Sequence, residues 1–167
     1  LYLLCALAVI GLNLPAVPAV FAEIFGLAFS PAAAGGGLLG VIVTGVQRGA
    51  FSNEAGIGTE ALAHGAARTS EPVREGLVAM VGPIIDTLLI CTCTALVILL
   101  SGVVGSADGV TLTTKAFEAE LGRPGLIALF ACVLGFSLTT IFTYSYYGSK
   151  CFAYLFGAHR TRLYLYI

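Results

Sequence analysis

Gly45-Val-Gln-Arg-Gly-Ala-Phe-Ser-Asn-Glu-Ala-Gly-Ile-Gly58 interrupts an apolar stretch where the middle of a membrane crossing should lie. On its amino-terminal side, Leu38 to Val46 is apolar but only half the length of a crossing, and Ala61 to Thr69 follows. A bilayer core about 30 Å thick needs roughly 20 helical residues to span it. Polar residues at that depth, with Gly49, Gly56 and Gly58 permitting backbone conformations denied to larger residues, predict a discontinuous helix. A break frees carbonyls and amides that lipid cannot satisfy. Carbonyls can coordinate Na⁺, and the amino end of the next half-helix can hold a carboxylate, so such a segment suits a zwitterion bound together with a cation. The candidates are Phe51, shaping a small apolar subsite, Ser52 and Asn53 as side-chain donors and acceptors, and the backbone of Glu54, Ala55, Gly56, Ile57 and Gly58. Glu54 is a partner for backbone amides or Arg48 within the break. The competing reading is a polar loop between two short helices.

Composition supports a membrane setting. Of 167 residues, 58% are hydrophobic and 10% charged, with a mean hydropathy of +0.98, whereas a soluble domain carries near a quarter charged residues. Four uncharged or nearly uncharged runs, Leu1 to Ala22, Ile24 to Gln47, Gly76 to Ala107 and Gly125 to Ser149, fit three or four crossings of an all-α membrane protein. The net charge of −1 provides neither a basic face for nucleic acid nor an acidic tail. The cysteines lie in apolar surroundings and read as packing residues. No GxSxG, Walker or Rossmann pattern supports an enzyme. The start at Leu1, without methionine, and the apolar ending at Leu163 to Ile167 read as those of an internal segment.

Outward from the break, Leu1 to Leu12 reads as the end of a crossing stopped near Asn13-Leu14-Pro15. A short surface helix follows from about Pro18 to Phe29. Glu71-Pro72 favours a helix start at Pro72, and Leu77 to Val104 is a long crossing in which Gly82-Pro83 can bend the first turns. Asp86 is the only charge between Gly76 and Ala107. An intramembrane carboxylate is a functional candidate, and Asp86 with Thr87 suits either ion coupling or a structural hydrogen bond to the broken segment. Leu112 to Leu121 patterns as an amphipathic helix outside the bilayer. Pro124 opens a last crossing to about Tyr146, where Thr139 and Thr140 are hard oxygen donors for Na⁺ and Tyr144, Tyr146 and Tyr147 suit the aromatic belt. Glu60 and His64, four apart, share a helical face without a third metal ligand nearby. Basic residues mildly place 65–75 and 148–162 inside and 105–123 outside.

These residues carry a resemblance. Gly45 to Gly58 resembles the signature of the sodium:alanine (alanine or glycine:cation) symporter family. The likeness continues through Ala63-His64, Pro72-Val73 with Gly76-Leu77, and Asp86-Thr-Leu-Leu-Ile-Cys-Thr-Cys-Thr-Ala-Leu-Val-Ile98. It resumes at Tyr146-Tyr-Gly148 and Tyr154-Leu-Phe-Gly157. Thr143-Tyr144 and Ser149 depart from the family's usual Gly-Trp and Glu. The resemblance implies a fragment of an inverted-repeat transporter of the amino acid-polyamine-cation superfamily. It maps 1–12 to the end of the fifth helix, 36–69 to the discontinuous sixth, 77–104 to the seventh and 125–146 to the eighth, with the whole of 1–167 a partial membrane domain.

The function implied is secondary active transport in which Na⁺ influx drives uptake of a small neutral amino acid, L- or D-alanine or glycine, with H⁺ coupling in some members. Residues Phe51 to Gly58 take the substrate-binding role, Thr139 and Thr140 the Na⁺ site, and Asp86-Thr87 match the family's Asp-Thr pair. No cofactor is implied beyond the co-transported Na⁺, and the partners are that ion, the amino acid, the lipid bilayer and the missing remainder of the transporter. The expected location is a bacterial-type plasma (inner) membrane, and the segment alone is expected not to transport. A cation channel and a structural subunit of a membrane complex are the alternatives.

Overall fold

The structure is a computed structural model that describes residues 1–28, 30–31, 38–52 and 58–164, without the side chains of Leu38, Leu39, Val41, Arg48, Phe51, Ser52 and Arg162. Helix α1 spans Tyr2–Leu12. It stops at Asn13, which leaves α-helical geometry at φ −109°, ψ 21°, and Pro15 opens a 3₁₀ turn over Leu14–Ala16. The Asn13 backbone N–H and side-chain amide both donate to the Val9 carbonyl, each at 3.1 Å, which fixes the helix end. Helix α2, Val17–Ala28, continues from the turn, and the two halves bend by 76°.

Helix α3 spans Leu38–Ser52 and α4 spans Glu60–His64. Gly58, between them, has φ +84°, a left-handed value that favours glycine. The chain then runs as α5, Pro72–Ala79, α6, Val81–Ile84, a π-helix over Ile85–Cys91 and α7, Thr92–Leu100. Pro83 lacks the N–H that would bond four residues back, so the helical ladder is already interrupted just before the π-helix. Side-chain contacts follow the wider turn: Thr92 Oγ1 donates to the Thr87 carbonyl at 3.4 Å, five residues back.

Helix α8 covers Gly109–Phe156 and is broken at Gly122, whose φ 65°, ψ −153° is not helical. Its first section, 109–121, is the amphipathic segment, and Pro124 opens the second. At this break Gly125 packs so closely that a β-carbon would lie 2.6 Å from the Phe117 carbonyl oxygen. The second section stays helical past Tyr146 to Phe156, where Gly157 ends it at φ +88°. A 3₁₀ turn, Ala158–Arg160, and α9, Thr161–Tyr164, fold back so that the Tyr164 ring lies against Gly148 and Phe152.

The described residues form helices and no strand. Two helical stretches are long and apolar enough to cross a membrane, Pro72–Leu100 and Gly109–Phe156, and the bent pair α1 and α2 makes a third if its halves form one crossing. Among the described residues that makes two or three, against the expected three or four. The described part of α3 is 15 residues, about 22 Å of helix, short of a core about 30 Å thick.

The buried core joins α1, α7 and both sections of α8 through Ala6, Val9, Cys93, Val97, Ala116, Phe117 and Leu129. Phe117 is 1% exposed, so the amphipathic section docks by its apolar side, while Glu118 stays exposed. Asn13 fixes the same joint by donating to Glu120 Oε2 at 2.6 Å. Elsewhere the apolar surface faces outward, with Ile141 64% and Phe142 71% exposed. Such a surface is stable only against lipid or other helices.

Candidate functional site

The sequence-selected residues fall at three places. Phe51 and Ser52 are the last two positions of α3, and Asn53, Glu54, Ala55, Gly56 and Ile57 lie outside the described residues. Gly58 opens onto a cavity of about 630 Å³ together with Glu60, His64, Thr69 and Glu75. There the His64 Nδ1 lies 2.7 Å from Glu75 Oε1, and its Nε2 lies 3.6 Å from Glu60 Oε1. The two carboxylates meet different ring nitrogens, so one ring nitrogen and both acids do not converge on a single ion. Among the described residues no group of three or more His, Cys, Asp or Glu side chains is arranged to hold a metal. The Glu60–His64 pairing follows from their spacing; Glu75 arrives from α5, across an irregular connection that spacing does not describe.

The second place is a cavity of about 940 Å³ between α1, the π-helix and the second section of α8. Asp86, Thr139 and Thr140 line it with Tyr2, Cys132 and Phe136. Three residues chosen separately from the sequence thus line one cavity. Thr139 Oγ1 donates to the carbonyls of Gly135 at 3.1 Å and Phe136 at 2.9 Å, and Thr140 Oγ1 donates to Phe136 at 2.8 Å. A hydroxyl that gives its hydrogen to its own helix keeps lone pairs for another partner. Both oxygens are therefore competent to accept a cation. The Tyr2 hydroxyl on the same cavity is hydrogen-bonded to Thr94 Oγ1, which itself donates to the Ile90 carbonyl.

Thr87 separates from Asp86. It lines an apolar groove of about 330 Å³ with Phe21, Ile24, Phe25, Cys91 and Thr92. Adjacent residues on a helix point in different directions, and only Asp86 reaches the threonine cavity. The π-helix that carries both is absent from the sequence reading, because Ile85 to Cys91 has the composition of an ordinary apolar helix.

The profile of the Sodium:alanine symporter family matches residues 1–167, the whole chain. The chain belongs to the sodium:alanine symporter family. Within this symporter family it is 41% identical over 169 residues to the sodium/alanine symporter AgcS of Methanococcus maripaludis, covering 98% of this chain and 37% of that protein. An uncharacterized transporter of Haemophilus influenzae is also 41% identical, over 172 residues, covering 98% of this chain and 38% of its own. The amino-acid carrier protein AlsT of Bacillus subtilis is 40% identical over 141 residues, 82% of this chain and 30% of the relative. The symporter segment thus spans less than two fifths of the length of these relatives. Family membership together with two long apolar helices makes it an integral membrane protein of the transporter class.

Proposed function

We propose that the chain is part of a secondary active transporter that couples Na⁺ influx to uptake of a small neutral amino acid, alanine or glycine, across a bacterial-type plasma membrane. The observation that carries this reading is the common cavity of Thr139 and Thr140, whose hydroxyl hydrogens are turned back into their own helix and whose oxygen lone pairs remain for a hard cation. The names of relatives, a sodium/alanine symporter and an amino-acid carrier, support the same ion and substrate class.

The substrate is held where the sixth-helix equivalent is interrupted. Phe51, Ser52 and Asn53 contribute side chains, and Glu54 to Gly58 contribute backbone groups. The left-handed backbone of Gly58 supports an interruption there, since a continuous α-helix has no place for φ +84°. Na⁺ orders oxygen donors around the interrupted helix and raises amino acid affinity. Movement of the inverted-repeat bundle then exposes the site to the other side. No bond is made or broken in the cargo, and no bound cofactor takes part.

The test is uptake of labelled alanine and glycine by the complete transporter containing this chain, with and without an imposed Na⁺ gradient. Uptake rises with the gradient, Asn53→Ala lowers it at all Na⁺ concentrations, and Thr140→Val lowers its response to Na⁺. Substrate-independent cation conductance in place of uptake is the result that contradicts symport.

A further inference from the structure

We propose that Asp86 is the charge-bearing ligand of the cation held by Thr139 and Thr140, directed into their cavity by the π-helical turn Ile85–Cys91. The inference deepens the Na⁺-coupled reading and rests on it. Threonine hydroxyls offer only neutral dipoles, and a bare cation in a low-dielectric surrounding needs a compensating charge close by. Among the described residues that line the cavity, Asp86 supplies the one charged side chain; the other side chains there are apolar, thiol, hydroxyl or aromatic.

The π-helix is the second, independent observation. Its i to i+5 register is rare, and short π segments inside α-helices concentrate at functional sites. Here the register makes Cys91, five residues on, the neighbour of Asp86, with the Sγ to Oδ2 separation 4.0 Å, and pairs Thr92 with the Thr87 carbonyl. Asp86 lines the cavity of Thr139 and Thr140, while Thr87, Cys91 and Thr92 line the apolar groove beside α2.

The experiment uses the purified complete transporter in lipid nanodiscs and measures labelled alanine binding against Na⁺ concentration, with choline replacing Na⁺ at constant ionic strength. Asp86→Asn raises the half-saturating Na⁺ concentration about tenfold to a hundredfold, the loss expected for a charged ligand. Asp86→Glu, which keeps the charge, recovers part of the loss. A half-saturating concentration unchanged in Asp86→Asn but raised in Thr140→Val overturns the assignment of Asp86 and leaves the Na⁺ reading standing. Alanine binding indifferent to Na⁺ in the unmodified protein overturns both.

Discussion

Gly125 has no room for a methyl group. Its β-carbon would meet both the Phe117 carbonyl oxygen and the Leu121 β-carbon at 2.6 Å, and neither belongs to the free end of a flexible side chain. Gly125→Ala therefore forces the two sections of α8 apart and destabilises the fold by about 1–3 kcal/mol, the range for overpacking. Equilibrium unfolding in mixed micelles measures this, and a change of only a few tenths would contradict the close approach. His64 makes a milder case. Removing it in His64→Ala deletes the 2.7 Å contact to Glu75. Because both side chains are partly exposed, the loss is about 1 kcal/mol. Amide exchange in α4 speeds up about fivefold, while exchange in α1 is unchanged; equal exchange in α4 would show that the contact does not hold it. At this scale the sequence is legible where spacing is local. Glu60 and His64 follow from a four-residue interval, but Glu75, eleven residues from His64, depends on how an irregular connection turns.

Among elements, the strongest joint is the one between α1, α7 and the amphipathic section of α8. Phe117 fills it at 1% exposure beside Val9 and Val97. Truncation in Phe117→Ala costs about 3–5 kcal/mol by lost burial and a residual cavity. Asn13 and Glu120 are joined across the same place, and the variant loosens the amphipathic section from α1, which amide exchange over 109–121 reads as faster exchange; exchange unchanged from the parent would contradict the docking. The break at Gly122 and Pro124 was readable because glycine and proline impose their geometry locally. The π-helix was not, since its residues differ in no compositional way from the α-helix after it and its register reflects the disturbed ladder behind Pro83. Sequence also selected Asp86, Thr139 and Thr140 separately, as polar groups in apolar runs. Their common cavity depends on how helices cross, which periodicity along one helix does not encode. For Phe51 to Ile57 the sequence reading remains the basis of the proposed substrate site, which ends at Gly58.

At the scale of the whole molecule, the two long apolar helices bury little of themselves within the chain, and the segment spans less than two fifths of its relatives. On the proposed function, further helices of the transporter complete the walls around Thr139, Thr140 and residues 51–58. Vesicles containing residues 1–167 alone are accordingly expected to show no Na⁺-dependent alanine uptake above empty vesicles; saturable uptake would mean the segment carries a complete site. For the complete transporter, coupling is a free energy shared by the two ligands and is reciprocal. The decisive measurement is equilibrium binding of alanine at graded Na⁺ and of Na⁺ at graded alanine. The account predicts that saturating Na⁺ lowers the alanine dissociation constant by the same factor by which alanine lowers that of Na⁺. Alanine affinity identical in Na⁺ and in choline would contradict it.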